Sequence, residues 1–258
     1  MKKKKSFLLS VIKIPYYVVR GIYRIFKKIE KKAGEKEIEK KREGMTAKYE
    51  DFKVLKRLEG DYGEWSNVVL NSESKIGIIL GARGSGKTAF GIKLLENIYA
   101  KMKRNCFAMG FKSEEMPSWI KVVDDTNLIK NNSVVLIDEG GVLFNSRNSM
   151  SKPNKLLGEL ILIARHKNLT ILFISQNSSN LDVNIIRQAD FLALKPTSLL
   201  QKDFERKKIQ EIYKGVENQF KKYAREKGIT YIYSNEFRGF VSNALPSFWN
   251  VRISKSFS

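Results

Sequence analysis

The chain has 258 residues, enough for one α/β domain with a sizeable core plus an appendage. Its single cysteine, Cys106, excludes an internal disulfide framework and fits a reducing compartment, and one Cys with one His argues against a structural zinc site. The formal net charge is +21, of which residues 1–43 (15 Lys+Arg, 5 Glu) carry +10 and the remaining 215 residues +11. Two basic parts point to polyanionic partners, nucleic acid or an anionic membrane surface, with a Lys-rich solvated surface as the plain alternative.

The first 32 residues lack the uninterrupted apolar core of a signal peptide, because Lys13, Arg20 and Arg24 break the run and Pro15 sits inside it. Central cations are also costly in hydrocarbon. Lys13, Arg20, Arg24, Lys28 and Lys31 share one helical face, and Val11, Val18, Ile22, Ile25, Phe26 and Ile29 fall on the other. The spacing predicts a basic amphipathic helix, kinked or started at Pro15. Its apolar face has three candidate destinations: a membrane surface, a docked position on this protein or on another subunit, or, over residues 7–26, a bilayer span. Residues 30–48 are charged and nearly free of large apolar groups, so a solvated helix or linker is expected there. The expected division is 1–48 as basic helix and linker, and 49–258 as the folded domain.

From there apolar runs bounded by turn residues predict buried parallel strands at Ile76–Leu80, Cys106–Phe111, Val134–Asp138, Thr170–Ser175 and Phe191–Lys195, with a last strand at Ile229–Ser234. Helices are expected at Lys87–Lys103, Lys155–His166, Asn184–Gln188 and Leu199–Lys227. The alternation implies an α/β fold with a mostly parallel central sheet flanked by helices.

Between the first strand and its helix stands Gly81-Ala82-Arg83-Gly84-Ser85-Gly86-Lys87-Thr88, a full G-x-x-x-x-G-K-[ST]. Glycines let backbone N–H groups turn inward around a β-phosphate, and the helix N-terminus adds positive charge. Lys87 is placed to reach the β- and γ-phosphates of ATP, and the Thr88 hydroxyl to bind Mg²⁺. Residues 81–89, closing with Ala89, are the expected nucleotide-binding set. The strand "VVLI" ends in Asp138-Glu139. Asp138 is expected in the Mg²⁺ shell, and Glu139 as the general base that polarises the attacking water. Gln176 follows another buried strand, at the edge where open α/β sheets bind ligands, and is expected to sense the γ-phosphate or attacking water.

The phosphate loop, the strand ending in Asp-Glu, "RHKNLTILFISQ" and the later "IIRQAD" resemble the FtsK/HerA clade of P-loop ATPases. They are most similar to viral DNA-packaging ATPases and Zot-like proteins of filamentous phages. The resemblance covers about residues 75–200. It implies a RecA-like core in a ring, usually a hexamer, that moves double-stranded DNA with ATP. It also implies an arginine offered in trans to the neighbour's γ-phosphate. Arg147, Arg165 and Arg187 are candidates; Arg165, in the matching segment, is preferred, while His166 receives no role.

No zinc finger, RNP motif or basic zipper is present, so DNA contacts are expected on the backbone. "FNSRNSMSKPNK", with Arg147, Lys152 and Lys155, is a candidate pore loop, and Lys202–Lys227 carries a net +4. Arg83 is placed to face the nucleotide or the next subunit. The expected function is an ATP-driven DNA translocase that packages a genome, with virion or portal-like proteins as partners. The alternatives are a Zot-like assembly or export ATPase attached to a membrane through residues 1–32, and a membrane-attached regulatory NTPase without DNA. The expected location is cytoplasmic, at the inner face of a membrane or on a virion.

Overall fold

The computed structural model describes residues 2–71, 74–145 and 152–254. The chain divides into two compact units, Met1–Gly44 and Met45–Ser258. The first is one helix, α1 (Lys2–Glu43), which continues through Pro15 rather than starting there. Lys40, Lys41 and Arg42 fill its last turn, where cations oppose the negative end of the helix dipole. Tyr23, Ile25, Phe26 and Ile29 on this helix are all more than half exposed. Among the described residues no helix is long and apolar enough to cross a membrane.

The second unit is built on a nine-stranded sheet among the described residues: β1 (Lys53–Gly60), β2 (Lys75–Leu80), β3 (Asn105–Met109), β4 (Ile120–Val122), β5 (Ser133–Asp138), β6 (Thr170–Ser175), β7 (Phe191–Leu194), β8 (Thr230–Ser234) and β9 (Phe237–Ser242). Their spatial order is β1-β9-β8-β7-β2-β6-β5-β3-β4. The six strands from β7 to β4 run parallel, and β8, β9 and β1 add an antiparallel flank. The helices are α2 (Tyr62–Asn71), α3 (Lys87–Met102), α4 (Glu139–Asn145), α5 (Lys152–Lys167), α6 (Val183–Arg187), α7 (Leu199–Asp203), α8 (Lys207–Lys222) and α9 (Val251–Ser254).

The central strands are continuous apolar runs because both sheet faces are covered. Side chains alternate between two cores. Ile79, Val134, Leu136, Leu172 and Ile174 pack with Trp65, Phe90 and Leu95 on the α2–α3 face. Ile78, Leu80, Val135, Ile137, Ile171 and Phe173 pack with Leu157, Leu160, Ile209 and Tyr213 on the α5–α8 face. Every parallel strand expected from the sequence is present within two residues of its expected ends.

Three differences have physical reasons. The expected helix Leu199–Lys227 is two helices, because at the break Glu205 turns inward and accepts hydrogen bonds from the backbone N–H of Ser178 (2.7 Å) and its hydroxyl. Edge strand β1 escaped notice because nearly all of it is exposed, with Lys53, Lys56, Arg57 and Glu59 along it and two irregularities in its register against β9. Strand β4 has only three residues, too few for a periodic signal.

Inside α3 a buried ion pair ties down both ends of the unit. Lys93 Nζ lies 3.0 Å from Glu96 Oε2, with side chains 1% and 0% exposed. Glu96 also accepts from the backbone N–H of Lys48 (3.0 Å) and from the Ser247 N–H (3.2 Å) and hydroxyl. Residues 45–51 and the 243–250 tail are thereby fastened to the helix that opens at the phosphate loop.

Candidate nucleotide site

The parallel register brings four strand ends to within one residue of each other. Leu80 pairs with Ser175 of β6 on one side and with Leu194 of β7 on the other, and Asp138 of β5 pairs with Ile174. One residue further, Gly81, Gln176 and Lys195 therefore stand in one row at the carboxyl edge of the sheet, where ligands of open α/β sheets bind, and Glu139 is level with Ser175, one residue short of that row.

The loop between β2 and α3 has the backbone that its glycines permit. Gly84 and Gly86 have φ of 75° and 88°, in the left-handed region. A Cβ on Gly81 would approach Lys195 Cβ to 2.6 Å, so a side chain there would close the cradle. Lys87 is buried, and its ammonium donates to the loop's own carbonyls, Gly81 O at 2.8 Å and Ala82 O at 2.9 Å. Burial pushes its pKa down, opposed by the negative charges of Asp138, Glu139 and Glu205. The Ser85 hydroxyl is buried inside the loop and has no hydrogen-bond partner among the described residues. A loop whose lysine folds back on it and whose hydroxyl is orphaned has the donors that a polyphosphate would take up.

Thr88 Oγ1 stands 3.4 Å from Asp138 Oδ2, and Asp138 Oδ1 accepts from the Gly140 N–H at 3.1 Å. Hard oxygen donors suit Mg²⁺. Burial raises the Asp138 pKa, against the pull of those backbone N–H groups, Lys87 and Thr88. Glu139 is the first residue of α4, 7% exposed, and accepts from Ser175 Oγ at 2.5 Å. Burial also holds its pKa above the usual carboxylate value, while Ser175, the Gln176 backbone and Asn180 oppose the shift. Gln176 is exposed beside them, its carbonyl accepting from the Gln201 side chain. Ala82, Ser85, Gly86 and Thr88 are partly exposed, Ala89 is buried, and Arg83 is exposed at the loop's tip.

The structure thus brings together residues 81–89, Asp138, Glu139 and Gln176. Arg165 and Arg187 lie elsewhere. They precede β6 and β7 and line a cavity of about 980 Å³ with Arg206 and Lys207, at the edge where those strands begin, opposite the phosphate loop of the same chain. His166 is exposed nearby. Arg147 and the centre of the candidate pore loop lie outside the described residues.

The family model for Zonular occludens toxin (Zot) matches residues 95–226, just over half of the chain. The chain belongs to the Zot family. This Zot-family protein is a P-loop nucleoside triphosphate hydrolase with a mixed, mostly parallel α/β fold. Among solved structures it is similar to B204, the DNA-packaging ATPase from Sulfolobus Turreted Icosahedral Virus (16% identity, 67% of this chain and 99% of that one, TM-score 0.46). It is also similar to the genome packaging NTPase B204 from Sulfolobus turreted icosahedral virus 2 in complex with ATP-gammaS (17%, 67% and 100%, TM-score 0.48). A third similar structure is the N-terminal domain of zonular occludens toxin from Neisseria meningitidis (20%, 47% and 76%, TM-score 0.33). No curated protein matches it.

Sequence reasoning passed over three residues of this Zot-family site. Ser175 looked like the end of a strand, yet it holds Glu139. Glu205 sat in a charged stretch read as helix, yet it is 4% exposed and its charge is felt at Lys87. Lys195 closed an apolar strand with no motif around it, yet it is fully buried beneath the loop. Only the order of the strands, which the sequence does not state, makes them neighbours.

Proposed function

We propose that this Zot-family protein hydrolyses ATP with Mg²⁺ and uses the energy to move double-stranded DNA by its backbone, as a genome-packaging motor of a virus or mobile element. In this reading Lys87 and the N–H groups of residues 81–89 bind the phosphates. Thr88 and Asp138 hold the Mg²⁺, which neutralises phosphate charge, Glu139 takes a proton from the attacking water, and Gln176 orients that water. The observation that carries hydrolysis is the placement of Gly81, Gln176 and Glu139 at one edge of the sheet beside the buried Lys87, with Glu139 held by Ser175, the residue before Gln176. The DNA part rests on the +11 of residues 44–258 and on the clade resemblance, with virion or portal-like proteins as partners and a homo-oligomeric, hexameric ring as the working form. Residues 1–48 form the basic appendage and 49–258 the motor.

The test is ATP turnover with and without duplex DNA across a salt series. Stimulation that fades as salt rises supports a backbone-gripping motor; DNA-indifferent turnover at every salt removes DNA and leaves a regulatory NTPase.

A second reading is favoured by the Zot match together with the exposed Tyr23, Ile25, Phe26 and Ile29 on a basic helix. Here the same ATPase sits at the cytoplasmic face of a membrane through residues 1–32 and drives virion assembly or export. Co-sedimentation of the full chain with anionic, and not neutral, liposomes supports it; absence of binding to either rejects it.

A further inference from the structure

Lys195 is the residue that the site does not yet explain. Its side chain is completely buried, and no carboxylate pairs with it among the described residues. Its ammonium donates to Gly228 O at 3.0 Å and Asn243 Oδ1 at 3.3 Å, and lies over the Phe90 ring at 5.2 Å. Its backbone N–H donates to Leu80 O (2.8 Å), and Pro196 O accepts from the Ala82 N–H (3.0 Å), so the end of β7 is laced to the phosphate loop. From α8, Tyr213 donates its hydroxyl to Lys195 O at 3.0 Å. A Cβ on Gly86 would lie 3.9 Å from Lys195 Nζ, which puts the ammonium directly behind the loop's N–H donors.

A buried cation is costly when nothing of opposite sign faces it. Two carbonyl-type oxygens and an aromatic face supply partial charge only. Among the described residues the titratable group that touches it is Tyr213 from α8, and no charged group acts on its ammonium; Glu205 acts on Lys87 and Tyr213 and not on Lys195. Burial alone holds the Lys195 pKa down at about 7.

We infer that Lys195 is a second cation of the phosphate site, whose counter-charge is supplied by the nucleotide's phosphates on the other side of the loop. The inference rests on the nucleotide reading above. Lys87 meets the phosphates through the mouth of the loop, and Lys195 attracts them through its floor. Bound phosphate stabilises the charged ammonium, so nucleotide binding takes up a proton at Lys195 near neutral pH. The contribution to affinity is complete below the free-state pKa and disappears as pH rises through the higher, bound-state one.

The experiment is fluorescence titration of mant-ADP with Mg²⁺ into the full chain at pH 6.5 and pH 9, for the natural protein, Lys195→Met and Asn243→Asp, with thermal melts of each. Lys195→Met is expected to weaken binding roughly tenfold at pH 6.5, the scale of one charge acting across several ångströms of protein, with the gap closing at pH 9. Asn243→Asp gives the lysine a counter-ion inside the fold and is expected to weaken binding while the protein still melts cooperatively. Equal affinity of Lys195→Met and the natural protein at pH 6.5, or a loss of the same size at both pH values, overturns the inference and makes Lys195 a strut for Gly228 and Asn243. If Lys195→Met does not fold, Asn243→Asp decides, and unchanged affinity overturns it. Failure of the natural protein itself to bind mant-ADP, matching Lys87→Ala, would instead reject the nucleotide reading and this inference with it.

Discussion

Glu139 depends on a neighbour that its position in the chain conceals, Ser175. Burial raises its pKa, and Ser175 Oγ, at 2.5 Å, restrains the rise. A general base works only when ionised, so turnover should fail as pH drops through this raised value. Ser175→Ala removes a restraint on the shift. The acid limb of the kcat profile should therefore move to higher pH; an unmoved limb would mean that Glu139 is not the group being titrated. Glu139→Gln keeps the shape but cannot accept the proton, and should slow single-turnover hydrolysis about 10²–10⁴-fold with nucleotide binding retained. Full turnover in that variant would reassign the base. At this scale the sequence was partly legible. Residues 81–88 and Asp138-Glu139 are local strings whose spacing states their chemistry. Ser175, Glu205 and Lys195 are single residues whose meaning comes from strands that are distant in the chain and adjacent in the sheet.

Helix α3 does two jobs: its first turn completes the phosphate loop, and its middle anchors the chain's ends through Lys93 and Glu96. Removing Glu96 leaves the buried Lys93 with only the exposed Glu50 carboxylate, 3.5 Å away, as counter-ion among the described residues. Glu96→Ala should cost about 3–5 kcal/mol by denaturant titration, and adding Lys93→Met should recover part of it. A loss below about 1 kcal/mol would show that the pair is not buried in solution as described. The buried strands were readable as elements because both faces demand apolar side chains. The split between α7 and α8 was not, because it depends on Glu205 finding Ser178 across 27 positions of chain. Strand β9 pairs with β1 on one side and β8 on the other, and the exposed charges of β1 erase the alternation that would have announced it.

For the whole molecule, the location of Arg165 sets a constraint. It stands at the edge where β6 begins, away from its own chain's phosphate loop, so any service to a γ-phosphate has to be rendered to another copy. In mixtures of Arg165→Ala with a Glu139→Gln partner, each chain lacks what the other retains. If Arg165 acts in trans, sites that combine an intact Glu139 with an intact neighbouring Arg165 should restore ATPase activity that neither variant shows alone. An Arg165→Ala protein that is fully active by itself would dismiss the finger. The fold class was legible from the β/α alternation, whereas this edge-to-edge separation was not, because it follows from strand direction rather than from residue type.

Strand β1 closes one side of the nine-stranded sheet with four charged side chains and two breaks in its ladder. An irregular, charged margin of this kind resists the addition of another strand from outside. Prolonging one another's sheets along β1 is therefore a disfavoured way for copies of this chain to join. If they assemble, side-chain surfaces and loops are the favoured joints, and such joints can rotate or slide without tearing a ladder of backbone hydrogen bonds.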